Sequence, residues 1–115
     1  MKNGLYSIHI QMLDDVNGRA SGVIYLEGGK LLGGDPYFWS EGTYTLHQGT
    51  LKGGLVTRQH TPYRDVLVRP VFAGHVVTTG FSGTYADDSA EIFGTSLVGS
   101  RSVSFRARLQ KLADC

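Results

Sequence analysis

Cysteine is all but missing: Cys115, the last of 115 residues, has no second thiol in the chain to pair with. Stability then has to come from a packed core, and the composition suits a reducing compartment. Proline is scarce too, at 3 residues, so most of the chain is free to donate backbone hydrogen bonds to a ladder. No apolar stretch approaches the roughly 20 residues a membrane-spanning helix requires. The start, Met1-Lys2-Asn3-Gly4, carries neither the apolar core nor the cleavage signal of a secretory leader. These features predict a cytoplasmic protein without a membrane association. An excess of one charge is also lacking, with Lys+Arg 11 against Asp+Glu 10 and a formal net charge of +1. A dedicated phosphate-backbone binder shows a basic stripe, so nucleic acid is disfavoured as a partner, although a local basic patch is allowed.

What the chain does have is glycine, 16 residues of it, set among Val, Thr, Tyr and Phe. Glycines between β-branched and aromatic runs mark turns and bulges between short strands. With 41% hydrophobic and 18% charged residues, the chain can form a core, and its length predicts one domain over 1–115. From Tyr6 to Met12, Tyr6, Ile8, Ile10 and Met12 share one face while Ser7, His9 and Gln11 share the other, the alternation of a half-buried strand. Asp14 to Gly18 ends in Asn-Gly, a hairpin turn. A second strand, Arg19 to Glu27, leads to Gly28-Gly29, and a short third, Lys30-Leu31-Leu32, meets Gly33-Gly34-Asp35-Pro36.

Tyr37-Phe38-Trp39 follows, then strands over Glu41 to His47, with Tyr44 and Leu46 on one face, and Thr50 to His60, the latter kinked at Gly53-Gly54. Thr61 to Asp65 reads as a loop, and Pro70 reduces Val66 to Phe72 to an edge strand or an irregular crossing. His75 to Tyr85, Ala90 to Val98 and Ser102 to Leu112 complete the set. In the last of these, Val103, Phe105, Ala107 and Leu109 face in. No segment keeps a helical period over three turns. The pattern predicts an all-β fold, an up-and-down antiparallel barrel of about eight strands, lipocalin-like in its small closed form. An open sandwich is the alternative.

Lys2-Asn3-Gly4-Leu5-Tyr6-Ser7-Ile8 resembles the opening of the GrlR family, small bacterial regulators associated with type III secretion. Gly29-Lys30-Leu31-Leu32-Gly33-Gly34-Asp35, followed by Gly42-Thr43-Tyr44, resembles that family's central glycine-rich element. The family-motif residues are thus Gly4, Tyr6, Gly33, Gly34, Asp35 and Gly42. The likeness covers the first half of the chain; the second half matches loosely. The resemblance implies a lipocalin-like barrel, usually dimeric, in a family whose best-known member represses by sequestering a transcriptional activator. That member's acidic run, implicated in holding the activator, is matched here by about Thr45, Leu46, His47 and Gln48, none of them acidic.

Other chemistry is thin. The four histidines, His9, His47, His60 and His75, lie at no recognised metal-ligand spacing and read as solvent-facing strand residues. Gly80-Phe81-Ser82-Gly83-Thr84 is not a nucleophile elbow, and Gly28-Gly29-Lys30 lacks the spacing of a phosphate loop. Arg101, Arg106, Arg108 and Lys111 read as a solvated outer face, and the acidic pairs Asp14-Asp15 and Asp87-Asp88 as turn residues. Tyr37, Phe38 and Trp39 have two readings. Either Tyr37 and Trp39 plug one face of the barrel while Phe38 packs under a loop, or they anchor a dimer or partner interface.

The expectation is therefore a protein-binding regulator, homodimeric, with no enzymatic activity and no cofactor. Its partner-binding residues are expected at Tyr37, Phe38, Trp39, Leu46, His47 and Gln48. The alternative is a carrier of a small apolar ligand, with inward Gly22 and Gly80 leaving room for it.

Overall fold

Side chains that alternate between two environments build nearly all of this molecule. The computed structural model describes residues 1–13, 19–62 and 76–114. The turn expected at Asp14 to Gly18, the loop from Tyr63 to Asp65, the stretch Val66 to Phe72, His75 and Cys115 lie outside these residues. The described chain forms eight strands: β1 (Gly4–Met12), β2 (Arg19–Glu27), β3 (Lys30–Gly34), β4 (Phe38–His47), β5 (Thr50–Gln59), β6 (Val77–Tyr85), β7 (Ser89–Val98) and β8 (Arg101–Asp114).

Each strand pairs antiparallel with the next, and β8 returns to β1, so the sheet is a closed up-and-down barrel and not an open sandwich. The closing seam runs from Gly4 opposite Asp114 to Met12 opposite Phe105. The first and last strands have the cleanest alternation in the sequence, and pairing them removes both free edges. Two of the turns use a consecutive pair of left-handed residues, Gly28-Gly29 (φ 57° and 86°) and Gln48-Gly49 (φ 48° and 83°). Such pairs match the right-handed twist of the strands they join.

Several strand limits differ from those the pattern predicts. β3 continues through Gly33 and Gly34, which pair with Ile24 and Val23 on one side and Ser40 and Trp39 on the other. Glycine carries no side chain to display a period, so its membership in a strand is silent in the sequence. Phe38-Trp39 and Glu41 to His47 form one strand, with Tyr37 left in the connection. β5 passes Gly53-Gly54 without a shift of register on either flank, so no kink breaks its pairing.

The interior is filled. Tyr6, Ile24, Leu26, Leu31, Tyr44, Leu51, Phe81, Ile92, Phe105 and Leu109 belong to one buried cluster. Val77, Val98 and Val103 pack with Met12 in a second. Inward glycines seat aromatic rings: a Cβ on Gly94 would stand 2.5 Å from the tip of the Phe105 ring, and one on Gly53 2.8 Å from the Phe81 ring. Gly22 lies in phase with buried Ile24 and Leu26, as expected. Gly80 corrects the expectation: it faces out, because Thr79 and Phe81 on either side are the buried residues.

Polar groups inside the wall are paired. The Thr79 and Ser96 hydroxyls lie 2.7 Å apart and buried, and those of Ser40 and Thr57 also lie 2.7 Å apart. At one end of the barrel the Tyr6 hydroxyl donates to the Lys2 carbonyl at 2.6 Å. Lys111 follows the inward phase of β8 there and meets Asp114 at 2.5 Å and Asp88 at 3.0 Å. Hydrogen bonds to these two carboxylates raise the Lys111 pKa well above the ordinary lysine value, and the same ammonium lowers that of Asp114. Burial raises the Tyr6 phenol above its ordinary value.

Candidate functional site

A strand buried on one face needs only every second residue to be apolar. Where two apolar residues stand side by side, one of them must point outward. Val23-Ile24-Tyr25-Leu26 and Leu31-Leu32 are such runs. Ile24, Leu26 and Leu31 take the inside, which leaves Val23 43% exposed and Leu32 54% exposed. Trp39 joins them by the same logic, with Phe38 buried and Trp39 37% exposed.

Register gathers these outward residues. One rung across β2, β3, β4 and β5 holds Tyr25, Leu32, Glu41 and Val56; the next holds Val23, Gly34, Trp39 and Arg58. The result is an apolar face on the outer wall, centred on Leu32, that carries both signs of charge at one side. There the Arg58 guanidinium lies 5.4 Å from the centre of the Trp39 ring and 3.4 Å from a Glu41 carboxylate oxygen. Arg58 thus stacks its cation over one face of the indole.

The expected partner-binding residues do not form one site. Phe38 is buried and Trp39 faces out, the reverse of the reading that sends Trp39 inward, since a β-strand buries only one of two neighbours; Tyr37, half-buried, precedes the strand. Leu46, His47 and Gln48 lie at the opposite end of β4 from Trp39, roughly 24 Å away at 3.4 Å per residue. Leu46 follows the inward phase of Tyr44 but emerges at the barrel rim, while His47 and Gln48 are exposed at the β4–β5 turn. Of the expected set, Trp39 alone belongs to the apolar face. Val23, Leu32 and Val56 were not among the expected site residues, and consecutive apolar pairs were the signal for them.

The family-motif residues shape the barrel. Gly4 is buried where β1 presses on β8, and a side chain there would run into the Ala113 carbonyl. Tyr6 is fully buried. Gly33 and Gly34 complete β3, and Gly42 faces the inside of β4 against the Gly54 carbonyl. Asp35 organises the next connection: one carboxylate oxygen accepts from the backbone N–H groups of Tyr37 at 2.8 Å and Phe38 at 2.7 Å. His60 clamps the same turn, its Nε2–H donating to the Asp35 carbonyl at 2.9 Å while the Thr61 hydroxyl lies 2.6 Å from Nδ1. A carbonyl can only accept, which assigns the ring proton to Nε2.

Among the described residues no group of three or more His, Cys, Asp or Glu side chains converges at metal-binding distance. Among the same residues no helix is long and apolar enough to cross a membrane. No family model matches the chain, and no curated protein matches it.

Proposed function

We propose that the chain is a non-catalytic regulatory barrel of the GrlR type, a homodimer that acts by sequestering a protein partner, for example a transcriptional activator. The apolar outer face around Val23, Leu32 and Trp39 carries this reading. Each of these side chains has on the order of 1 kcal/mol still to gain from burial, and contiguous exposed apolar surface of this kind marks contact with another protein. The face also bears Arg58 and Glu41, so it is self-complementary in charge, which suits an isologous two-fold interface. The carrier reading has less in its favour, because inward Gly53 and Gly94 are taken up in seating Phe81 and Phe105.

Sedimentation velocity on the wild-type chain and Leu32→Glu tests the dimer. The expected result is a dimer that the outward charge converts to a monomer with an unchanged β-sheet spectrum. A wild-type monomer at hundred-micromolar concentration refutes it. The regulatory role is tested by deleting the gene in its host: transcripts controlled by one activator should rise, and an unchanged transcriptome contradicts the proposal.

A further inference from the structure

On another sector of the outer wall, over β2, β1, β8 and β7, the surface is cationic. Residues two apart on a strand share a face, so Arg106 and Arg108 both leave β8 outward, as His9 and Gln11 leave β1 and Arg19 and Ser21 leave β2. Register sets them in two rungs: Arg108, His9 and Ser21, then Arg106, Gln11 and Arg19. With cross-strand neighbours about 5 Å apart, three guanidinium stems spring from a patch roughly 10 Å by 7 Å. Arg108 has Glu91 at 3.6 Å, whereas among the described residues Arg19 and Arg106 form no ion pair. Together these side chains line an open groove. Beside it on β7, Phe93 stands opposite Arg106 and is 49% exposed. Phe93 borders a second depression, which opens where Gly80 leaves the outer wall bare.

We propose that this wall holds an extended acidic segment of the protein partner. Its carboxylates sit on Arg19, Arg106 and Arg108, and one apolar side chain enters the depression beside Phe93. The guanidinium fork matches a carboxylate through two parallel hydrogen bonds. An extended segment repeats its same-face side chains about every 7 Å, the spacing of Arg106 and Arg108 along β8. Gln11 and Ser21 between the arginines offer both donors and acceptors to peptide groups. A nucleic-acid strand fits less well. The basic tract is two rungs wide and ends at Glu91, whereas strand-tracking grooves run on and alternate charge with stacking rings. This inference rests on the reading of the chain as a protein-binding barrel and supplies the chemistry of the partner, but it uses a different face from the one centred on Leu32.

The probe is a fluorescein-labelled peptide of about ten residues, alternating glutamate and glycine around a central leucine, followed by anisotropy at low and physiological salt. The wild-type chain should bind it, with affinity falling as salt rises. The double variant Arg19→Gln/Arg106→Gln should bind at least tenfold more weakly. Phe93→Ser should lose several-fold for this peptide and nothing for one with glycine in place of leucine. Lys30→Gln, an outward position at the β2–β3 turn, should bind as wild type does. All these positions are outward, and circular dichroism checks that each variant keeps its sheet. No binding at low salt, a double variant within twofold of wild type, or tighter binding of oligothymidine of equal length overturns the inference. Sedimentation of the same samples separates the two readings: a dimer that ignores the peptide sinks the acidic-segment inference alone, and a monomer that binds it sinks the dimer alone.

Discussion

Replacing Gly94 by alanine puts one methyl group where the interior has no room for it. The added Cβ would lie 2.5 Å and 2.7 Å from two ring carbons of Phe105 and 2.8 Å from the Gly80 carbonyl oxygen. Ordinary carbon contacts need roughly 3.5–4.0 Å, so the ring has to withdraw by about 1 Å. Phe105 is buried in the main core and cannot swing into solvent. Overpacking of this kind costs typically 1–3 kcal/mol, and about 2 kcal/mol is expected for Gly94→Ala. With a urea dependence of about 1–3 kcal/mol per molar, the unfolding midpoint should fall by roughly 1 M. Phe105→Leu removes the obstructing ring tip and leaves a void of its own. In the double variant the two defects partly cancel, so its loss should fall short of the sum of the singles by about 1 kcal/mol. Part of the alanine penalty persists, because the Gly80 carbonyl does not move with the ring. A Gly94→Ala loss under 0.5 kcal/mol, or strict additivity of the pair, refutes the account of the interior as filled by rings on glycine. It would also revive the carrier of a small apolar ligand.

Four further outcomes follow from the paired polar groups and the turns. Thr79→Val should cost about 1–3 kcal/mol, since it leaves the buried Ser96 hydroxyl without its partner; adding Ser96→Ala should recover much of that in urea unfolding. The cluster of Tyr6, Lys111, Asp88 and Asp114 sets a pH window. Asp114, with its pKa lowered by Lys111, contributes stability above the ordinary carboxylate range and loses it as pH falls through its folded value. Lys111, with its pKa raised by the two carboxylates, contributes below the ordinary lysine value and loses it as pH rises through its own folded value. The stability difference between wild type and Lys111→Met should therefore plateau between about pH 5 and pH 10 and shrink on both sides; a difference that does not vary with pH contradicts this. The phenol of Tyr6, raised by burial, should add a component above the ordinary tyrosine range to an alkaline absorbance titration, and in Tyr6→Phe that component should vanish. Gly29→Ala, at φ 86°, should cost roughly 1–2 kcal/mol, the left-handed penalty of a side chain, measurable as a drop in melting temperature.

Terminal strands and hairpins were legible from residues alone because alternation is a local property. Val103, Phe105, Ala107 and Leu109 are all buried as their spacing requires, and Gly28-Gly29 makes the turn it announces. Phases set by glycine were harder to read. Gly80 could be placed on either wall until its neighbours Thr79 and Phe81 were seen to be buried, and Gly33-Gly34 showed no period although both pair on two sides.

The sequence by itself determined that this chain would be a small all-β fold with alternate residues turned inward, because a two-residue period needs no knowledge of distant neighbours. Which outward residues stand together was decided by closure and register alone. Leu32 meets Tyr25 and sits one rung from Trp39, and Gln11 meets both Arg19 and Arg106, only because β3 lies between β2 and β4 and β1 between β2 and β8. A one-residue slip in β2–β3 or β3–β4 would scatter the first face and one in β1–β2 or β1–β8 the second, and no local turn fixes the β1–β8 register.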